Sequence, residues 1–198
     1  GAIGLPRSFL LGHENGHRLI DLPYQDITHN KIINNTLIKI GNNWLEIDLG
    51  YQNNIRQEKI TPEAFNIRDE NFVDYGNLSL GLNLQSFTVN TKYNWLIQKN
   101  WNLTSGINTQ YSLNTHSGFE FLLPNYTNLQ YGIFVYNEYK KNENTVFNFG
   151  ARWDGATYNI EEKIIAVYNR QGNFTGEYSM RNPNINRSFG NFSGAAGV

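Results

Sequence analysis

The sequence predicts an all-β protein: an antiparallel up-and-down meander of about six to eight strands, of the transmembrane-barrel type, with short turns on one side and long loops on the other. Three observations predict it. Apolar and polar residues alternate with period two over much of the chain, while helical periodicity is nearly absent. The connections between alternating segments are short and long in turn, the rhythm of membrane barrels. The composition is low in charge, 17% against the roughly 25% of soluble domains, yet 14% aromatic, with 31 asparagines among 198 residues.

The elements follow in order. Residues 1–32 read as a loop or lead-in, and 33–158 as the strands. The first strand, 33–40, turns Ile38 and Ile40 outward and ends in a tight turn at Gly41-Asn42-Asn43. In 44–52, Leu45, Ile47, Leu49 and Tyr51 alternate with Glu46, Asp48, Gly50 and Gln52. Side chains alternate across a strand, so the oily and polar sets face opposite ways. After a long polar stretch, 55–77, Leu78, Leu80, Leu82 and Leu84 are apolar at even positions. Phe87, Val89, Tyr93 and Trp95 then continue at odd ones. That parity change near Gln85-Ser86 predicts a β-bulge or bend inside one long strand.

A short turn at 97–100 leads to 101–113, where Trp101, Leu103, Ile107, Tyr111 and Leu113 oppose Asn102, Thr104, Asn108, Gln110 and Ser112. A second long stretch, 114–128, precedes 129–139. That segment is apolar on both faces, Ile133 and Val135 on one, Phe134 and Tyr136 on the other. A turn at 141–144 enters 145–154, with Phe147, Phe149, Ala151 and Trp153 opposite Asn148, Gly150, Arg152 and Asp154. The third long loop, 159–190, can hold a hairpin around Gly172, from 161–168 and 174–180. Residues 191–198 begin a further strand. Trp44, Trp95 and Trp101 sit beside short turns and Tyr51, Tyr111 and Tyr158 at the opposite strand ends. This placement predicts two interfacial aromatic girdles, although aromatic residues also favour strands anywhere.

Several classes are excluded. A net charge of −1 leaves no electrostatic footprint for nucleic acid. No run approaches the ~18 apolar residues of a helical membrane span. Without cysteine there is no disulfide framework, thiolate nucleophile or cysteine zinc site. Residues 1–6 lack the basic and apolar regions of a signal peptide, and no initiator Met is present. The expectation is a processed or excised chain, which leaves export open.

Candidate functional residues are few. Glu46 and Asp48 share one strand face with Gln52; Arg152 and Asp154 share another, and Arg56 and Glu58 lie at a long-loop end. These seven are expected to face a lumen, with Arg152 and Asp154 able to pair with the acidic strand or with residues of a plug filling that lumen. The plainer reading is that lumen faces are simply polar. His13 and His17 are four apart, with His29 a conceivable third ligand, but Gly12 and Gly16 argue against the helix that would align them, so no metal is expected. His116 reads as a solvated loop residue, and the Asn-rich sequons carry no weight. No nucleophile–base arrangement or phosphate loop appears, so neither an enzyme nor a cofactor is expected.

One stretch carries a family resemblance. Gly50-Tyr51-Gln52-Asn53-Asn54-Ile55-Arg56-Gln57-Glu58 resembles the "GYQ-N-R-E" stretch of TonB-dependent outer-membrane receptors, in their siderophore- and metal-type branch. Pro23-Tyr24-Gln25-Asp26-Ile27-Thr28-His29 precedes it, as a "P-Q-x-I-x-H" segment does there. Leu122-Leu123-Pro124-Asn125-Tyr126, Gly132-Ile133-Phe134-Val135-Tyr136, Phe149-Gly150-Ala151-Arg152-Trp153-Asp154 and Phe189-Gly190-Asn191-Phe192-Ser193-Gly194 are similar to later family segments, in the same order. The resemblance covers about residues 20–198. It implies a partial barrel lacking the plug, a piece of a roughly 22-strand structure. It further implies an outer-membrane location, TonB coupling through the missing plug, and an extracellular ligand, an iron chelate or metal complex, bound by the long loops.

Two other readings stand beside it. One is a soluble β-sandwich or open-barrel binding module whose apolar faces meet a protein core. The other is a small complete outer-membrane barrel with a structural or adhesive role. In an isolated segment, two unpaired strand edges and an apolar face that needs lipid or detergent predict self-association.

Overall fold

In the computed structural model, which describes residues 22–61, 75–170 and 173–198, the chain is all-β. Among the described residues nine strands follow in order: β1 Tyr24–Ile40, β2 Asn43–Lys59, β3 Leu78–Gln98, β4 Trp101–Ser117, β5 Tyr126–Asn142, β6 Thr145–Ile160, β7 Lys163–Tyr168, β8 Phe174–Asn182 and β9 Ile185–Gly197. Seven form one antiparallel sheet in the order β1-β2-β3-β4-β5-β6-β9, and β7 and β8 pair separately as a hairpin. The meander expected from the sequence is present. The sheet is not closed, since β1 and β9 are both edges.

The three short connections, residues 41–42, 99–100 and 143–144, lie at one end of the sheet. Gly41 takes φ 63°, the left-handed conformation such a tight turn demands and glycine supplies without strain. At the other end the strands overrun the expected loops. β2 continues to Lys59, β4 to Ser117, and β5 begins at Tyr126, so parts of 55–77 and 114–128 are strand, His116 included. β1 begins at Tyr24, well inside the expected lead-in. Residues 24–32 are mostly polar on both faces, with Ile27 on one and Ile32 on the other, so they carry no alternation. Their continuous ladder to β2, from Tyr24 opposite Lys59 to Ile40 opposite Asn43, makes them strand. The hairpin anticipated in 159–190 is present as β7–β8. It stands apart from the main sheet, and Gly172 lies outside the described residues.

The expected bulge near Gln85-Ser86 is absent. The β2–β3 and β3–β4 registers run unbroken through that point, and the irregularities fall at strand ends: Glu58/Lys59, Leu96/Gln98 and Lys140/Asn142. The parity change has another cause. With register continuous, residues align in rows, and one row is Asn30–Asn53–Gln85–Leu113–Thr127–Asn159–Asn186. On the short-turn side of this largely amide row, the same face carries rows such as Thr36–Ile47–Thr91–Ile107–Ile133–Trp153–Phe192. On the loop side the apolar residues of β3 move to the opposite face, as Leu80, Leu82 and Leu84. Along β3 the faces exchange character at this height, and the backbone stays regular.

Between the amide row and the Trp101–Tyr139 pair, the apolar face carries no charged residue. Lys31, Lys39, Glu46, Asp48, Lys92, Glu138, Arg152, Asp154 and Arg187 all have the opposite parity. Burial is inverted relative to an ordinary soluble domain. Phe87, Tyr111 and Leu129 are 47, 40 and 39% exposed, while Ser86, Ser112 and Asn128, their chain neighbours on the other face, are 2, 5 and 3% exposed. Among the described residues Leu80, at 4%, is the buried hydrophobic core. Sheltered polar groups and exposed apolar ones identify the polar face as the concave side.

Aromatic rings border the apolar face at both heights. Near the short turns, Tyr93 meets Trp95 edge-on at 5.4 Å and Trp101 meets Tyr139 at 6.3 Å. Nearer the amide row, Tyr51 meets Phe87 at 4.7 Å, beside Tyr111. Two expected girdle members depart. Trp44 has even parity on β2 and faces the concave side, its indole N–H donating to Glu46 at 3.1 Å. Tyr158 likewise faces inward, its ring 6.2 Å from that of Phe189. Proximity to a turn placed them at the right height, and strand parity put them on the wrong face for a girdle. On the inner face Phe134 lies over Gly106 of β4, where any Cβ would collide with the ring. Tyr131 covers Gly155 on the outer face in the same way.

Candidate functional site: the concave polar face

The concave face is built by even positions of β2–β6 and odd positions of β1 and β9. Its central row reads Asn35–Asp48–Asn90–Asn108–Gly132–Asp154–Asn191, an unbroken line of amides, carboxylates and one glycine across seven strands. Asn35 donates to Asp48 at 2.6 Å and Asn108 to Asn90 at 3.1 Å. Arg152 grips Asp154 two residues along β6, with Nε at 2.7 and 2.8 Å from the two carboxylate oxygens and a second nitrogen at 2.5 Å. Its remaining arm donates to Asn108 at 3.0 Å, across β5. That reach requires the bare backbone of Gly132 between them, because a Cβ there would collide with the guanidinium and the Asp154 carboxylate. The row bounds a groove of about 490 Å³, lined among others by Asn90, Asn108, Gln110, Gln130 and Arg152.

One row toward the short turns, Glu46 is a hub. It pairs with Lys92 at 2.6 Å and accepts from Trp44 and, at 3.4 Å, from Asn94, which in turn accepts from Thr104 at 2.9 Å. Two rows toward the loops, the Ser86 and Ser112 hydroxyls share a hydrogen bond of 3.1 Å, to which Gln110 adds one at 3.2 Å. Asn128 accepts from Gln130 at 2.7 Å and donates to the Thr157 carbonyl. Buried polar groups here are partnered laterally, as sheltered groups must be to offset lost hydration.

The seven expected residues thus share one face. Asp48 and Asp154 lie in one row, and Gln52 stands opposite Lys31 and Ser86. Arg56 and Glu58 pair with each other at 2.5 Å near the loop end, Glu58 also accepting from Gln25 at 3.0 Å. The expected pairing of Arg152 with the acidic strand does not occur. Three strands separate β6 from β2, so Arg152 binds Asp154 and Glu46 takes Lys92. His29 lies on the concave face of β1 opposite Asn54, and His13 and His17 fall outside the described residues. Among the described residues no three metal-ligating side chains cluster. His116 is held at β4, its Nε2 2.7 Å from the Glu120 carbonyl.

Sequence reasoning missed Lys92, Asn90, Asn108, Gly132 and Asn191. The signal was the shared even parity of 90, 92 and 108. It needed the cross-strand register to bring those positions beside Glu46 and Arg152. Chemically, the face offers amide, hydroxyl and internally neutralised charged groups, suited to wetting or lateral binding.

The loop end is tied separately. The Asn125 side chain donates to Glu161 at 2.9 Å, the Glu161 amide donates to the Asn125 carbonyl, and Asn182 donates to the Glu161 carbonyl at 2.6 Å. These bonds fasten the base of β7–β8 to the β4–β5 loop. No protein-family model, curated protein or solved structure matches this chain.

Proposed function

We propose that this chain is a wall segment of an outer-membrane β-barrel, its convex face in lipid and its concave face lining an aqueous interior. In the fuller reading it belongs to a TonB-dependent receptor that imports a scarce nutrient, an iron chelate or metal complex. One observation carries the membrane part: at one height of the sheet, apolar residues are exposed while the polar residues beside them are buried. Burial of polar groups and exposure of a continuous apolar band, bordered by rings and free of charge, fits lipid outside and water inside. The receptor part rests on the ordered motifs around residues 50–58, 122–126 and 189–194. In that reading, the long-loop ends and the β7–β8 hairpin meet the ligand outside the cell, and the concave face meets the plug through which TonB acts. A plug-encoding sequence upstream of this segment is the expected context.

The four tryptophans provide the test. Trp95, Trp101 and Trp153 face outward and Trp44 inward. Single-tryptophan versions of the chain, the others changed to Phe, are folded into liposomes containing brominated phospholipid. Strong quenching of the three outward residues, deepest for Trp153, with Trp44 spared, is expected. Equal quenching of all four, or of none, would sink the membrane reading.

A further inference from the structure

We infer that the concave groove between β3 and β9 is a binding site for a short neutral oligosaccharide, a ligand of different chemistry from the chelate of the receptor reading. The inference rests on the sheet alone, and not on what lies against its convex face. The groove of about 490 Å³ falls within the ~300–1,000 Å³ of small-molecule sites. Two adjacent rows of the concave face line it. One supplies Gln110, Gln130 and Phe189, and the next supplies Asn90 and Asn191.

Three of these amides are held at one end and open at the other. Gln110 and Gln130 donate sideways through Nε2, to Ser112 at 3.2 Å and Asn128 at 2.7 Å. Their Oε1 atoms have no hydrogen-bond partner among the described residues. Asn90 accepts through Oδ1 from Asn108 at 3.1 Å, and its Nδ2 likewise has no partner there. Asn108 itself accepts from Arg152, so the Asn90 N–H groups end a chain of donors that begins at a cation and is polarised by it. Acceptors in one row and donors in the next match hydroxyl groups, each of which gives one proton and accepts others. A carboxylate or phosphate uses only the donors, and an ammonium only the acceptors. Among the described residues, the charged ones lining the groove are Arg152 and Asp154. They bind each other through two guanidinium nitrogens, so a charged ligand meets no unmatched opposite charge.

Phe189 adds the apolar contact. It stays 61% exposed on a face where polar groups prevail, and Ala156, opposite it on β6, is too small to cover it. A sugar ring has an apolar face of C–H groups and a rim of hydroxyls, and an aromatic ring beside amides meets both. The side bonds that pin Gln110, Gln130 and Asn90 lower the side-chain entropy that binding must remove.

The test is calorimetry on the full chain folded in zwitterionic micelles, whose headgroups carry no sugar. Maltotriose and cellotriose are the neutral probes, and trigalacturonate is the charged one. At least one neutral trisaccharide is expected to bind saturably at millimolar concentration, and trigalacturonate roughly tenfold or more weakly. Phe189→Ala should weaken the bound trisaccharide about tenfold, the loss of one aromatic contact. Gln130→Met should weaken it about fivefold, the loss of one acceptor. Phe189→Trp should keep the affinity, as should Phe192→Ala, on the same strand but the opposite face. Circular dichroism of each variant separates a lost contact from a lost fold, and Gln130→Met decides the matter if Phe189→Ala does not fold. No saturable binding of either neutral probe, trigalacturonate binding as tightly as they do, or unchanged affinity in the folded Phe189 and Gln130 variants overturns the inference. Lipid quenching without sugar binding sinks this inference alone, and sugar binding without quenching sinks the membrane reading alone.

Discussion

The amide row divides the sheet into two regions, and along β3 they are of opposite construction. Toward the short turns, the convex face is apolar and the concave face carries the charges and amides. Toward the loops, Asn83 and Gln85 face out, and Leu80, Leu82 and Leu84 face in. The first region hides its polar groups and shows its apolar ones, whereas the second buries Leu80, next to where Phe119 and Glu120 bond the Leu78 and Ser79 carbonyls. The same strands run through both without a bulge between them. The lesson is that backbone geometry does not decide which face of a strand is oily: β3 carries two patterns along one regular ladder.

The largest expected effect tests the lower region. Ile107→Arg places a charge on the convex face at mid-height, where lipid would make it cost ~2–4 kcal/mol. Asn108→Arg, one residue on, meets the wet face and should cost about 1 kcal/mol through the lost bridge to Arg152. Urea unfolding of the chain in liposomes measures both. A change within about 0.5 kcal/mol for Ile107→Arg, the usual cost at a water-exposed site, would erase the distinction between the regions.

Next comes the upper region. Leu80→Ala should cost ~2–3 kcal/mol, the lower part of the range for truncating a buried leucine, because a thin rim can partly collapse. It should destabilise equally in liposomes and in micelles, since that site is packed against protein. A loss seen in one medium alone would place Leu80 in the lower region's regime. The smallest effect sharpens the concave face. Glu46→Gln removes the charge opposite Lys92 but keeps an acceptor for Trp44, and both partners are well exposed, so a cost of ~0.2–1 kcal/mol is expected. A cost above about 2 kcal/mol would mean a dry inner face, in which a lone ammonium is expensive.

Much of this was legible in the sequence. Alternation in β2, β4 and β6 marked those strands and their faces, and the expected count of about six to eight strands stands beside the seven of the main sheet and the two of the hairpin. The parity switch at Gln85-Ser86 was visible but ambiguous. A slip in register and a change of surroundings look identical along one strand, and only the level amides of other strands, Asn53 on β2 and Asn159 on β6, distinguish them. The first half of β1 was illegible because its pattern is mostly polar on both faces and its strand character comes from β2. Trp44 was read by its distance from a turn, although its even number already placed it with Glu46. Of the concave face, Glu46, Asp48, Arg152 and Asp154 were found from parity. Their actual partners depended on lateral position, which the chain alone does not encode.

The tie among Asn125, Glu161 and Asn182 has a consequence for variation. It pins the foot of the β7–β8 hairpin, while β6 and β9 are held in register by their own ladder, from Ile160 opposite Ile185 downward. Everything distal to that knot can therefore lengthen, shorten or change sequence without disturbing the wall beneath. Closing a loop of twice the length costs only about 0.6 kcal/mol more. The β6–β9 ladder thus keeps the wall's shape independent of the length and sequence of the appendage above it.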